Sequence, residues 1–290
     1  MKRRFVTGVL AAAAAVGVGL AAESAQAQEI QLTGPLAGAP AVRHMREYRS
    51  GRFEIAPAVS FTLLDQYRRT IIIGARLNYN FTDWLAVGLW GGYGVISMNT
   101  DLASEIDSTA PRNALTAVNV NHTGTYPNYV PADFTAQTAK LDWVIAPQLT
   151  FTPFRGKLAI FNKIFIDTDF YIALGEAFVG IEERESCGGG GGQPSCVDPG
   201  SFQLASQVKP TYGTFGVGFT FFGGDFWSLG VEYRALPYTW NAAGFDTRGS
   251  GTNGNFPDNK VNSQDDTFAF NQLVTVSVGF FLPTAPHISP

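Results

Sequence analysis

The run RFEIAPAVSFTL, residues 52–63, alternates apolar and small or polar side chains at period two. Phe53, Ile55, Pro57, Val59, Phe61 and Leu63 fall on one phase; Arg52, Glu54, Ala56, Ala58, Ser60 and Thr62 fall on the other. Successive residues of an extended strand point to opposite sides, so this run predicts a strand with one greasy and one polar face. Seven further stretches repeat the pattern, giving predicted strands at 52–63, 69–81, 84–97, 139–152, 164–180, 208–222, 226–240 and 267–282. Trp90 falls on the inner, small-residue phase of the third as a local exception. Glu176 falls on the wrong phase of the fifth, which predicts a bulge near Gly175 or an exit from the membrane. Pro57 and Pro147 lack the N–H that a ladder needs and predict bulges or rim positions.

The connections alternate in length. Phe81 to Trp84, Thr152 to Lys163 and the turn Gly223 to Asp225 are compact, whereas 98–138, 181–207 and 241–266 are long and polar. Only the link Leu64 to Arg68 is short where a long one is expected. Aromatics gather at the strand ends. Phe81, Trp84, Phe151, Phe154, Phe222, Phe226, Trp227, Phe280 and Phe281 lie by the short turns, and Tyr67, Tyr238 and Trp240 by the other end. Short turns at one end, long loops at the other and aromatic girdles at both are the marks of a membrane barrel.

The chain ends agree with export. Lys2, Arg3 and Arg4 precede the apolar stretch Val6 to Ala22, and Ala25-Gln26-Ala27 supplies small residues for cleavage, so residues 1–27 read as a signal peptide. Cleavage removes Lys2, Arg3, Arg4 and Glu23. The 20 basic and 24 acidic residues become 17 and 23, a net charge of −6. That balance argues against nucleic acid as a partner and against a polybasic membrane patch. No later run of 18 apolar residues offers a spanning helix. The predicted organisation is a periplasmic N-terminal segment 28–51, locally basic through Arg43, Arg46, Arg49 and Arg52, then a barrel at 52–282 and a tail at 283–290. The fold class is all-β, an eight-stranded antiparallel transmembrane β-barrel in the bacterial outer membrane, with lipid against its greasy face.

With the greasy phase outward, the inner phase places Glu54, Arg76, Asp142, Asp167, Asp169, Glu232 and Arg234 in a narrow lumen. An eight-stranded barrel is just wide enough for side chains to fill it, so these charges are expected to pair across it, with Asp167 and Asp169 bridging to Arg76 or Arg234. Cys187 and Cys196 are the only cysteines and flank a Gly-rich octet. In an oxidising compartment they are expected to form a disulfide worth roughly 2.5–3 kcal/mol in the chain-entropy model.

The last strand ends Ser277-Val278-Gly279-Phe280-Phe281-Leu282, which resembles the signal by which the barrel-assembly machinery recognises outer-membrane proteins. Ser277, Gly279, Phe280 and Leu282 carry that resemblance. The segments Gly216 to Phe221 and Leu229 to Arg234 resemble hairpins of small OmpA-type barrels. Over residues 52–282 the chain resembles the outer-membrane β-barrel domain proteins of myxobacteria and their relatives. The resemblance implies architecture, together with assembly-machinery and envelope partners reached through the loops or the N-terminal segment. The tail Pro283 to Pro290 departs from it, because such a signal usually ends the chain.

Little points to catalysis. The three histidines, His44, His122 and His287, lie in the N-terminal segment, the longest loop and the tail, so no strand positions a base beside a nucleophile. Gly188 to Gly192 lacks the Lys-Ser or Lys-Thr of a phosphate loop. Asp258, Asp265 and Asp266 lack the spacing of a calcium loop. No enzyme activity, cofactor or metal is expected. The expected role is structural or interactive, with a lumen plugged by charged side chains and the loops as binding face. The alternatives are a narrow cation-preferring channel and a surface adhesion or ligand-binding protein.

Overall fold

The computed structural model describes residues 47–109, 134–160, 164–188, 192, 194–196, 199–224, 226–248, 260–284 and 287–288. The predicted signal peptide and most of the 28–51 segment lie outside them. Its strands are β1 (Glu47–Tyr48), β2 (Phe53–Leu63), β3 (Arg68–Asn80), β4 (Leu85–Asn99), β5 (Lys140–Ile160), β6 (Ile164–Gly175), β7 (Phe178–Arg184), β8 (Leu204–Pro210), β9 (Thr214–Phe222), β10 (Trp227–Trp240), β11 (Thr267–Leu282) and β12 (His287–Ile288). Among the described residues, two short helices, Asp101–Thr109 and Phe134–Gln137, lie between β4 and β5.

Eight strands close a ring in the order β2, β3, β4, β5, β6, β9, β10, β11, with β11 returning to β2 and β4 pairing β5. Every pairing in the ring is antiparallel. The predicted strand 164–180 is β6 bent into β7 at Glu176–Ala177, and 208–222 is β8 bent into β9 at Thr211–Gly213. The strand is thus interrupted next to Gly175, where a bulge or an exit from the membrane was expected. The β7–β8 hairpin stands above the ring and pairs with the top of β5. Much of the segment read as a loop at 181–207 is thus strand. At the opposite end, β5 and β6 run on to Ile160 and back from Ile164, where a compact turn from Thr152 was expected. Within the tail, β12 folds back and pairs with β1 ahead of the first barrel strand.

Prolines mark where the ladder lapses. Pairing of β11 with β2 skips Ala56 and Pro57, and pairing of β5 changes partner from β6 to β7 around Pro147. A register shift in the β5–β6 pairing falls between Phe151 and Phe154, around Pro153. A proline donates no ladder bond, so a strand that carries one bulges or changes partner there.

The phases run as the alternation requires. Phe53, Ile55, Val59 and Phe61 of β2 are exposed on the outer wall, while Glu54, Ala56, Ala58, Ser60 and Thr62 are buried. Four aromatics assigned to the girdles by type turn the other way. Phe222 and Phe281 face the interior at the short-turn end, and Tyr238 and Trp240 face it at the loop end. Tyr67 packs under the loops against Phe134. The exposed aromatics of the loop end are Tyr93, Tyr212, Phe268 and Phe270. Phase within the strand, and not residue type, decides which wall a ring joins.

Strands β3 and β4 meet with no room for a side chain. A Cβ on Gly74 would stand 2.0 Å from the Gly91 carbonyl oxygen and 2.6 Å from the Gly92 Cα. Both are backbone atoms that cannot step aside. A Gly74→Val substitution is expected to cost at least about 3 kcal/mol and to abolish the heat-modifiable gel shift of the refolded protein.

Candidate functional site

The interior has two layers of opposite character. Toward the short-turn end, four charged residues meet on the barrel axis. Arg76, from β3, places Nη2 2.7 Å from Glu54 Oε1 and Nη1 3.2 Å from Glu232 Oε2. Arg234, from β10, donates through Nε to Glu232 Oε1 at 2.7 Å and through Nη2 to Gln148 Oε1 at 2.6 Å. Tyr171 of β6 completes the group. Its hydroxyl accepts from Arg76 and donates to Glu232 Oε2 at 2.8 Å. Asn78 donates to the second oxygen of Glu54 at 3.0 Å. The cluster joins β2, β3, β6 and β10 across the lumen, and its two guanidinium and two carboxylate groups sum to zero charge.

Aromatic faces support both arginines. The Arg234 guanidinium lies 4.4 Å from the Trp90 ring centre, and that of Arg76 lies 4.8 Å from the Tyr171 ring. Trp90, the exception on its strand, is 2% exposed and forms the floor on which Arg234 rests. A guanidinium stacked on an aromatic face gains most when water is excluded. Tyr171 in turn requires Gly218 beneath it, where a Cβ would stand 2.5 Å from the phenol oxygen.

Below this cluster, Arg49 closes the short-turn end. It pairs with Asp169, which also lies 3.6 Å from Arg155 Nε. Its guanidinium sits 4.8 Å from the Phe222 ring centre and 5.6 Å from that of Phe281. Arg52 joins it over Phe281 and donates to the Pro283 carbonyl at 3.0 Å. One expectation is corrected here. Asp169 bridges to Arg49 and Arg155 instead of Arg76 or Arg234, because it lies too near the mouth to reach the central cluster. Arg49, assigned by sequence to the periplasmic N-terminal segment, lies buried at the short-turn mouth of the barrel.

Asp142 is corrected as well. A register shift between Leu141 and Trp143 inserts one residue into β5. Leu141 therefore turns inward, and Asp142 accepts a hydrogen bond from Tyr93 on the outer wall. Asp167 is half-buried near the rim, opposite Phe222 of β9. With Asp142 outside and Arg49 and Arg155 added, the acidic excess expected inside is absent from the described residues. Of the acids weighed as calcium ligands, Asp258 lies outside the described residues. Asp265 accepts three backbone N–H bonds, from Thr247, Arg248 and Asn262, and Asp266 pairs with Lys209.

Toward the loop end the interior is apolar. Ile72, Leu141, Val144, Val179, Ile181, Leu236, Tyr238, Trp240 and Leu273 form one buried cluster above Trp90. Described segments of the long loops meet at this end. Arg184 ties them together, donating to the Ser201 and Cys196 carbonyls, to Gln137 Oε1 and to the Gly244 carbonyl at 2.9–3.2 Å, while its guanidinium lies 4.3 Å from the Phe202 ring centre. Phe202 belongs to a second apolar cluster with Ala103 and Phe134, against which Tyr67, Ile106 and Phe245 pack. The Cys187–Cys196 disulfide is formed, and Cys187 exchanges two backbone bonds with Val261. Sequence reading missed Arg184, which sits in the unpatterned end of a strand taken for loop. In the Leu64–Tyr67 link, burial pushes the Asp65 carboxyl from 3.8 up to about 6, against the opposing pull of a hydrogen bond from Thr62 and the charge of Arg69. Its folded value lies above the unfolded one. The stability it contributes is therefore complete below pH 3.8 and is lost as pH rises through 6.

A closed antiparallel ring with an apolar outer wall and its charges inside is a transmembrane β-barrel of the outer-membrane type. No protein-family model and no curated protein matches the chain. Among solved structures it is similar to the N-terminal barrel domain of Pseudomonas aeruginosa OprF, at 9% identity over 80% of this chain and 98% of that one, with a TM-score of 0.39. OprG of the same organism gives 10% identity, 81% and 98% coverage and a TM-score of 0.39. Neisserial surface protein A gives 10%, 80% and 96%, and 0.35. Likeness of this size decides nothing beyond what the strand register already establishes.

Two substitutions separate the layers. Arg234→Ala leaves Glu232 with one of its two guanidinium partners, and is expected to destabilise the barrel by about 3–5 kcal/mol, the range for breaking a buried pair, measured by urea unfolding in detergent. Arg184→Ala is expected to leave the ring folded. Amide protection at 199–203 and 241–245 should fall on the order of a hundredfold, what roughly 3 kcal/mol of lost buried hydrogen bonds carries. Protection that survives in those loops would show that the cap does not depend on Arg184.

Proposed function

We propose that this protein is an outer-membrane barrel with a structural or interaction role, its axis plugged by the Glu54–Arg76–Tyr171–Glu232–Arg234 cluster and its loops serving as the binding face. The observation that carries this reading is the charge balance of the cluster. Two arginines and two glutamates are each engaged by opposite charge and hydrogen bonds, so the cluster carries no net charge to draw an ion along the axis. Arg49 and Asp169 add a second, separately paired layer at the mouth. A cation-preferring channel would need an acidic lumen free of bridges.

Residues 1–27 would direct export. Ser277, Gly279, Phe280 and Leu282 would present the assembly machinery with its signal. On β11, Phe280 and Leu282 are exposed on the outer wall, where a docking partner could read them before the ring closes. A cap tied by Arg184 and the disulfide supports the loops as a preorganised surface for an envelope partner, since ordering them in advance lowers the entropy that binding must overcome.

Single-channel recording of the refolded protein in a planar bilayer tests the plug. The expected outcome is a protein with the folded gel mobility and no conductance steps. Stable, cation-selective steps would replace the plugged reading with the channel.

A further inference from the structure

The outer wall carries a groove. On β3 the outward residues are Ile71, Ile73, Ala75, Leu77 and Tyr79, and Ala75 is the one small side chain of the five. It stands opposite Gly91 of β4, which in turn stands opposite Ile145 of β5. A groove of about 380 Å³ opens over Ala75 and Gly91, walled by Leu77, Leu89, Trp143 and Ile145. A Cβ on Gly91 would stand 2.7 Å from the Val144 carbonyl oxygen, so the close approach of β4 and β5 accounts for that glycine. It does not account for Ala75, whose side chain points outward, where a larger one has room.

The groove lies on the hydrocarbon side of the loop-end girdle. It runs from the Tyr93–Trp143 pair down to the Leu77–Leu89 pair. From Leu89 to Tyr93 the strand rises about 14 Å, close to one leaflet of a hydrocarbon core about 30 Å thick. Trp143 is a fixed wall. A Cβ on Gly180 would stand 2.1 Å from its indole Nε1, so the ring is seated against the β7 backbone. Two carboxylates stand at the rim. Glu182 pairs with Lys140 at 2.9 Å and also feels the charge of Arg68. Asp142 accepts from the Tyr93 hydroxyl, and no cation among the described residues pairs with it.

We propose that this groove binds one acyl chain of a membrane lipid whose headgroup carries a primary ammonium, with Asp142 as the partner of that ammonium. The site is on the lipid-facing wall, so it goes beyond the role assigned above and does not depend on the axis or the loops. In hydrocarbon only a lipid chain or another protein wall can fill a groove, and a groove left unfilled forfeits the contacts of its lining. A second copy related by a two-fold axis would set groove against groove and enlarge the void. A single chain lies along its length, with Ala75 and Gly91 as floor and Leu77, Leu89, Trp143 and Ile145 as walls. At the rim, the Asp142 carboxylate accepts a charge-assisted hydrogen bond from an ammonium and repels a headgroup of net negative charge.

The wild-type protein, refolded in detergent, can be mixed with equal amounts of phosphatidylethanolamine and phosphatidylglycerol of identical chains and weighed intact by native mass spectrometry. The expected result is one retained lipid per barrel, the ethanolamine lipid favoured about tenfold, the factor carried by one hydrogen bond to a charged group. Equal retention of the two would overturn the ammonium assignment. Ala75→Leu fills the groove from the lipid side and, at folded gel mobility, is expected to lose the retained lipid. Retention unchanged in that variant would overturn the groove as the site. Asp142→Asn is expected to keep the chain bound and to abolish the preference between the two lipids. A preference that survives there would remove Asp142 as the partner. A dimer mass that Ala75→Leu abolishes would overturn the proposal by assigning the groove to a second copy.

Discussion

A backbone amide in hydrocarbon has no water to turn to, and the whole molecule answers that constraint. Closing eight strands on themselves gives each amide in the ring a neighbour. The same closure fixes the alternation of side chains, because every second residue must then face lipid. It also makes each missing ladder bond visible. Pro57, Pro147, Pro153 and Pro237 all coincide with a lapse or a change of partner. Where the lapse is a residue or two, a bulge absorbs it. Where it extends, above the ring between β8 and β10, the protein spans the gap with Lys209, Asp266 and Glu183.

Closure creates a second demand. Charged side chains swept inward lose their water, and the loss is tolerable only when each meets an opposite charge and further hydrogen bonds. Arg76 and Arg234 reach their glutamates from strands on different sides of the ring, with Tyr171 between them. The cluster thus ties together strands that the ladder does not join directly. It also calls for flat partners, since a guanidinium shields its faces by stacking, which accounts for Trp90 in a position otherwise filled by glycine and alanine.

Much of this was legible in the residues. Period-two alternation located the ring strands, the loop lengths gave their polarity, and Glu176 marked the bend after β6. The inner phase also named Glu54, Arg76, Glu232 and Arg234. What escaped had local causes. One inserted residue in β5 reverses the phase of Leu141 and Asp142, and nothing in the sequence announces the insertion. Arg49 precedes the first patterned strand, so alternation has no hold on it. Tyr238 and Trp240 look like girdle residues by type, yet their phase turns them inward. The upper apolar layer was missed with them, because a greasy inner phase at the ends of several strands reads as noise until the strands are placed in register.

The two interior layers respond to temperature in opposite senses. Exposing apolar surface raises the heat capacity of an unfolding chain, while exposing polar surface lowers it. The cluster around Leu236 and Trp240 contributes the first kind of surface, and the shell around Arg76 and Glu232 the second. Their contributions offset within one barrel. An interior built this way has a flatter dependence of stability on temperature than an all-apolar core of equal size. Cooling, which weakens apolar burial, loosens the upper layer first and leaves the ionic one in place.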